Sequence, residues 1–159
     1  VALDSLSEMN YLNLTEVITQ AVTRTPRHDA DVAEMQDYLR SSFQMRKLVR
    51  LFRDLSVNSF WTAGVQETVD PLSKLPEFIP ALTGKLAREI PGLVLVVGYL
   101  AIMEDEQAVS HRSLMTQPVG RFSAKDRSEG GKLGAYVIDP TLPKIFDLLG
   151  VAHLTAKGG

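Results

Sequence analysis

The run GLVLVVGYLAIMEDE, Gly92 to Glu106, constrains this chain more than any other stretch. Its eleven residues from Leu93 to Met103 are bracketed by Arg88 and Glu89 on one side and by Glu104, Asp105 and Glu106 on the other. A membrane-spanning helix needs about 20 apolar residues, and at ~1.5 Å per residue this run reaches only about 16 Å. No transmembrane segment is expected, so the run belongs in a core, as strand or as helix. Its Val and Ile content suits a buried strand. The continuation YLAIMEDEQAVSHRSLM, rich in Ala, Leu, Met, Glu and Gln with no breaker until Pro118, suits a helix. The favoured reading is a core helix over 93–115, with Gly98 marking a close crossing with a neighbour.

The rest of the periodicity also points to helices. Leu14, Val17, Ile18, Ala21 and Val22 form one helical stripe, with Asn13 and Glu16 at capping-box spacing. Thr25, preceding Pro26, is pushed out of helical geometry. No Pro or Gly interrupts Val32 to Trp61, and Met35, Leu39, Phe43, Leu48, Phe52 and Leu55 share a broad apolar face. One long central helix over 31–57 is expected, followed by an irregular connector. Ile79, Leu82, Leu86 and Ile90 predict a helix over 79–90 that Pro91-Gly92 ends. The polar, Gly-containing segment 116–134 reads as a long flexible loop and AYVID as a short strand. PTLPKIFDLLGV has Thr141 as N-cap, Pro143 in the first turn and Gly150 as left-handed C-cap. The expected fold is mainly α: one domain over 1–159 with about five helices, frayed at 1–10 and 155–159. The alternative is α+β, with 93–103 and 135–139 as strands.

Composition narrows the chemistry. A net charge of −2 provides no overall basic field for nucleic acid. The absence of cysteine excludes disulfides, thiolate metal sites and a thiol nucleophile. The chain begins at Val1, as initiator removal or processing would leave it, and shows no signal-peptide pattern; a cytoplasmic location is expected. Its three histidines, His28, His111 and His153, are too scattered for HxxxH or HExxH, and no metal site is expected. GxSxG, GxGxxG and GxxxxGK[ST] are all missing. Gly130-Gly131-Lys132 runs on into Leu133 rather than into Ser or Thr. No cofactor and no catalytic residue are assigned, and the pattern leans away from an enzyme.

Two basic segments remain. Arg46, Arg50 and Arg53 fall at i, i+4 and i+7 on one helix face, where guanidinium groups can meet carboxylates or phosphates; the plainer reading is a solvated face answered by Asp37 and Asp54. Phe60 and Trp61 follow directly, and one of the two is free to meet a partner if both cannot turn inward. Arg121, Lys125, Arg127 and Lys132 give the 116–134 loop four cations against two acids. The favoured function is a non-catalytic interaction or assembly component, an adaptor or oligomer subunit. It would bind a partner chain or itself through Arg46, Arg50, Arg53, Phe60, Trp61 and the loop cations. A helical nucleic-acid-binding accessory protein and a small enzyme with a motif-free site are the alternatives.

Overall fold

The fold comes from a computed structural model, which describes residues 1–25, 28–118 and 120–151. It overturns the mainly α expectation. Among the described residues the elements run β1 (Ala2–Leu3), α1 (Leu6–Arg24), α2 (Met35–Arg53), β2 (Phe60–Trp61), β3 (Val65–Val69), β4 (Pro76–Pro80), α3 (Leu86–Leu93), β5 (Val96–Val97), β6 (Tyr99–Glu104), β7 (Ser110–Met115), β8 (Lys125–Asp126), β9 (Tyr136–Ile138) and α4 (Leu142–Leu149). Four helices and nine strands make this an α+β fold, the architecture held as the alternative. The chain packs as two units, residues 1–67 with 79–94 and residues 68–78 with 95–151 of the described chain.

In the first unit, Ser5 caps α1 by accepting the Glu8 N–H at 3.2 Å. The helix therefore begins well before Asn13 and takes in part of the segment expected to fray. It ends at Thr25, whose extended backbone fits the residue before a proline. The helix expected over 31–57 is shorter: Glu34 is its N-cap and Asp54 its C-cap. Its buried side is also different. Asp37, Ser41, Met45 and Val49 are buried, whereas Met35, Leu39 and Phe43 are 73%, 63% and 64% exposed. The reason is a polar seam: Asn13 of α1 donates from Nδ2 to Ser41 Oγ at 2.9 Å and to the Ser41 carbonyl at 3.2 Å. Small polar Ser41 lets the helices approach there, a preference invisible to an apolar pattern.

The connector after α2 is not irregular. Phe60-Trp61 forms β2, parallel to β1, with Ala2 opposite Phe60 and Leu3 opposite Trp61. The 79–90 helix is likewise corrected: Ile79 and Pro80 end β4, and α3 occupies Leu86–Leu93 with Pro91 in its last turn. The core gathers Leu6, Met45, Val49, Ile79, Leu82, Leu86, Ala87 and Ile90. Leu86 has no exposed surface at all.

In the second unit the 93–115 helix is replaced by β5, β6 and β7. β6 and β7 pair antiparallel from Tyr99–Met115 to Glu104–Ser110, and β9 adds along β7. The turn is made by Asp105, whose carboxylate accepts the N–H groups of Gln107 and Val109, each at 2.9 Å. An aspartate performs the reversal that glycine or proline would have advertised. Gly98 does mark a close approach, but at the step between β5 and β6: a Cβ there would lie 2.5 Å from Leu114 Cδ1. The 116–134 segment is not a structureless loop. Its β8 pairs with β5, Asp126 Oδ2 accepts the Leu133 N–H at 2.9 Å, and Ala124 and Leu133 are buried. α4 matches its expectation, with Thr141 and Gly150 as caps. Residues 155–159 lie outside the described residues.

Leu86 tests the first core directly. Leu86→Ala is expected to lower stability by about 2–5 kcal/mol, read as an earlier midpoint in urea denaturation followed by circular dichroism.

Candidate functional site

The outward side of α2 carries Arg46 and Arg50, two of the residues the sequence singled out, beside apolar side chains that it had assigned to the buried face. Met35, Leu39, Phe43, Lys47 and Leu51 follow one another four residues apart, and all five are exposed. Four-residue spacing places them on one ridge of the helix, opposite the buried ridge of Asp37, Ser41, Met45 and Val49. Phe43, Arg46, Lys47, Arg50, Leu51 and Asp54 line an open hollow on this side. The result is an apolar strip flanked by cations.

The three expected arginines differ in their freedom. Arg46 is half-exposed and donates from Nε to Glu89 Oε2 of α3 at 2.5 Å, so it ties two helices together. Arg53 donates to Asp54 at 2.7 Å and holds that carboxyl below its usual range, with Arg50 contributing through its charge. Arg50 is exposed, and Lys47, one turn before Leu51, joins it as a cation of the hollow. Sequence spacing found the arginine row but not Glu89, because the pairing crosses 43 residues of chain. Phe60 is 37% exposed. Trp61 instead packs on the core and meets the Phe52 ring edge-on, with centroids 5.2 Å apart. In the second unit Lys132 donates from Nζ to the Leu149 carbonyl at 3.0 Å, and the Arg121 guanidinium lies 5.2 Å over the Phe78 ring.

The beginning of α2 is held by His28 and Asp37, a pairing that the sequence did not show. His28 is almost fully buried, with Nε2 2.8 Å from Asp37 Oδ2 and Nδ1 2.9 Å from the Asp29 carbonyl. Both neighbours accept, so the ring satisfies both only when doubly protonated. The same Asp37 oxygen accepts the Glu34 N–H at 2.8 Å. Burial opposes the charge on His28, but the Asp29 carbonyl and the Asp37 carboxylate outweigh it and raise the pKa above the ordinary 6.5. His111 is arranged similarly between Asp105 at 3.0 Å and Asp139 at 3.5 Å, and its hydrogen bond to Asp105 raises its pKa. Neither cluster gathers three ligands suited to a metal ion among the described residues. None of the described helices is long and apolar enough to cross a membrane.

These elements define an α+β chain whose first unit carries the parallel pair of β1 and β2. The sequence pattern of the AAA domain family matches residues 1–128, and the chain belongs to that family. No curated protein and no solved structure matches it. The family implies a nucleotide-binding, ATPase-like domain. Phosphates are cradled in such sites by a glycine loop ending in GK[ST], with the lysine reaching the phosphates. The residues present do not fit that role: within the matched span Gly84-Lys85 runs on into Leu86, and beyond it Gly131-Lys132 runs on into Leu133, with no Ser or Thr after either lysine.

Two outcomes follow for the purified chain. Millimolar Mg·ATP is expected to leave its thermal midpoint unchanged, since only a ligand bound by the folded state raises it; a rise of several degrees would show phosphates held by other groups. For the histidines, raised folded pKa values mean stabilisation that is present below the unfolded value near 6.5 and lost as pH rises through the folded values. The stability advantage of the natural chain over His28→Gln/His111→Gln is therefore expected to be full well below pH 6.5 and to shrink as pH rises above 6.5 through the raised folded values, read from urea midpoints.

Proposed function

We propose that this AAA-family chain serves as a non-catalytic assembly element, binding a partner chain or a second copy of itself through the outward face of α2. The observation that carries this reading is the exposed ridge of Met35, Leu39, Phe43, Lys47 and Leu51 beside Arg50. Four large apolar side chains on one side of a 19-residue helix are costly to leave in water, and a polar rim around an apolar strip is the pattern of a protein interface. The cations favour a partner helix that carries acids beside its own apolar stripe. Arg46 supports this face indirectly, through Glu89. Phe60 extends the same proposal as an exposed aromatic, whereas Trp61 contributes by fixing β2 to the core.

The test separates contact residues from supporting ones. Phe43→Ala/Lys47→Glu/Arg50→Glu changes the exposed face and leaves the Arg46–Glu89 pair alone. The triple variant is expected to retain its circular dichroism spectrum while losing self-association by light scattering, or losing the partner retained by the natural chain. Unchanged mass together with unchanged partner binding would sink the proposal.

A further inference from the structure

We infer that the second unit carries a base-stacking site for single-stranded nucleic acid, built from Arg121 and the rings of Phe78, Phe122 and Tyr99. Phe122 lies at the middle of the group. It stacks on Phe78 with centroids 5.1 Å apart and planes 17° from parallel, and its centroid is 4.2 Å from that of Tyr99. All three rings are half-buried, and the exposed Arg121 guanidinium sits 5.2 Å over the Phe78 ring. The platform is fixed in place by backbone: the Phe78 N–H donates to the Arg121 carbonyl at 2.7 Å, and the Ser123 N–H donates to the Phe78 carbonyl at 3.0 Å.

A guanidinium lying over an aromatic ring presents its other flat side to solvent, and unstacked bases are held on such planes and rings. A duplex keeps its bases stacked inside, so the matching ligand is a single strand. The backbone of that strand needs cations, and Lys125 follows Phe122 by three residues. Its amine is buried with no hydrogen-bond partner among the described residues, and burial followed by the charge of Arg127 lowers its pKa. Asp126 does not neutralise it by hydrogen bonding, since that carboxylate accepts from the N–H groups of Ser128 and Leu133. An unpartnered buried amine is stabilised by an incoming anion. An acidic protein would answer the cations but leave the stacked rings unused, which is why a nucleic acid is the better fit.

The experiment uses the full chain and fluorescence anisotropy at about 50 mM salt, with an oligothymidylate of about 15 nucleotides and an abasic strand of equal length and charge. The base-bearing strand is expected to bind about tenfold more tightly than the abasic one. Arg121→Lys, which keeps the charge but removes the plane, is expected to abolish most of that preference, and Lys125→Gln to weaken both strands alike. Circular dichroism confirms the fold of each variant, and the base preference of the natural chain needs no variant at all. Equal binding of the two strands, no binding of either, an unchanged preference in Arg121→Lys, or equal competition by polyglutamate would each overturn the inference.

Discussion

The contact of Asn13 with Ser41 sets the orientation on which the first unit depends. Hydrogen bonds from one amide to the hydroxyl and carbonyl of a single serine bring α1 and α2 together at a polar point. With that side of α2 committed, Met45 and Val49 turn toward Leu86 and Leu6, and Leu39 and Phe43 turn toward solvent. A second polar pin, Asn10 Nδ2 donating to Thr83 Oγ1 at 2.6 Å, ties α1 to the segment before α3. Hydrophobic burial supplies most of the driving force in such a core, but these directional contacts select which side of the helix receives it.

This explains how far the sequence could be read. The existence of helices α1, α2 and α4 was legible because their breakers and caps are local: Thr25 before Pro26, the run from Val32 to Trp61 without Pro or Gly, and Thr141 with Gly150. The orientation of α2 was not, because its buried ridge begins with Asp37 and Ser41, residues that an apolar count assigns to solvent. The acidic His28–Asp37 contact was hidden for the same reason. For the candidate interface, Arg46 and Arg50 could be named from spacing, whereas Phe43 was read as part of the apolar face and the division of labour between the two arginines required Glu89 to be seen beside one of them.

The largest misreading, a helix over 93–115, has an equally specific cause. Ala, Leu, Met and Glu favour helix as residues, but the antiparallel pairing of β6 with β7 overrides that preference. The reversal at Asp105 relies on side-chain acceptance rather than on a glycine, so nothing in the pattern interrupted the run. The aromatic group around Phe122 was also beyond reach: Phe78, Tyr99 and Phe122 are separated in sequence and meet only when the 121–123 segment lies along β4.

The spacing of the exposed ridge on α2 has a geometric consequence. Residues four apart advance by about 40° around a helix, so the strip from Met35 to Leu51 winds rather than running straight along the axis. A partner helix that seats its own four-residue ridge beside it would cross at about 50°, touching over a few turns before the two axes diverge. Such a crossing concentrates the contact on Phe43 and Lys47 near the middle of the strip and leaves the ends of α2 outside it.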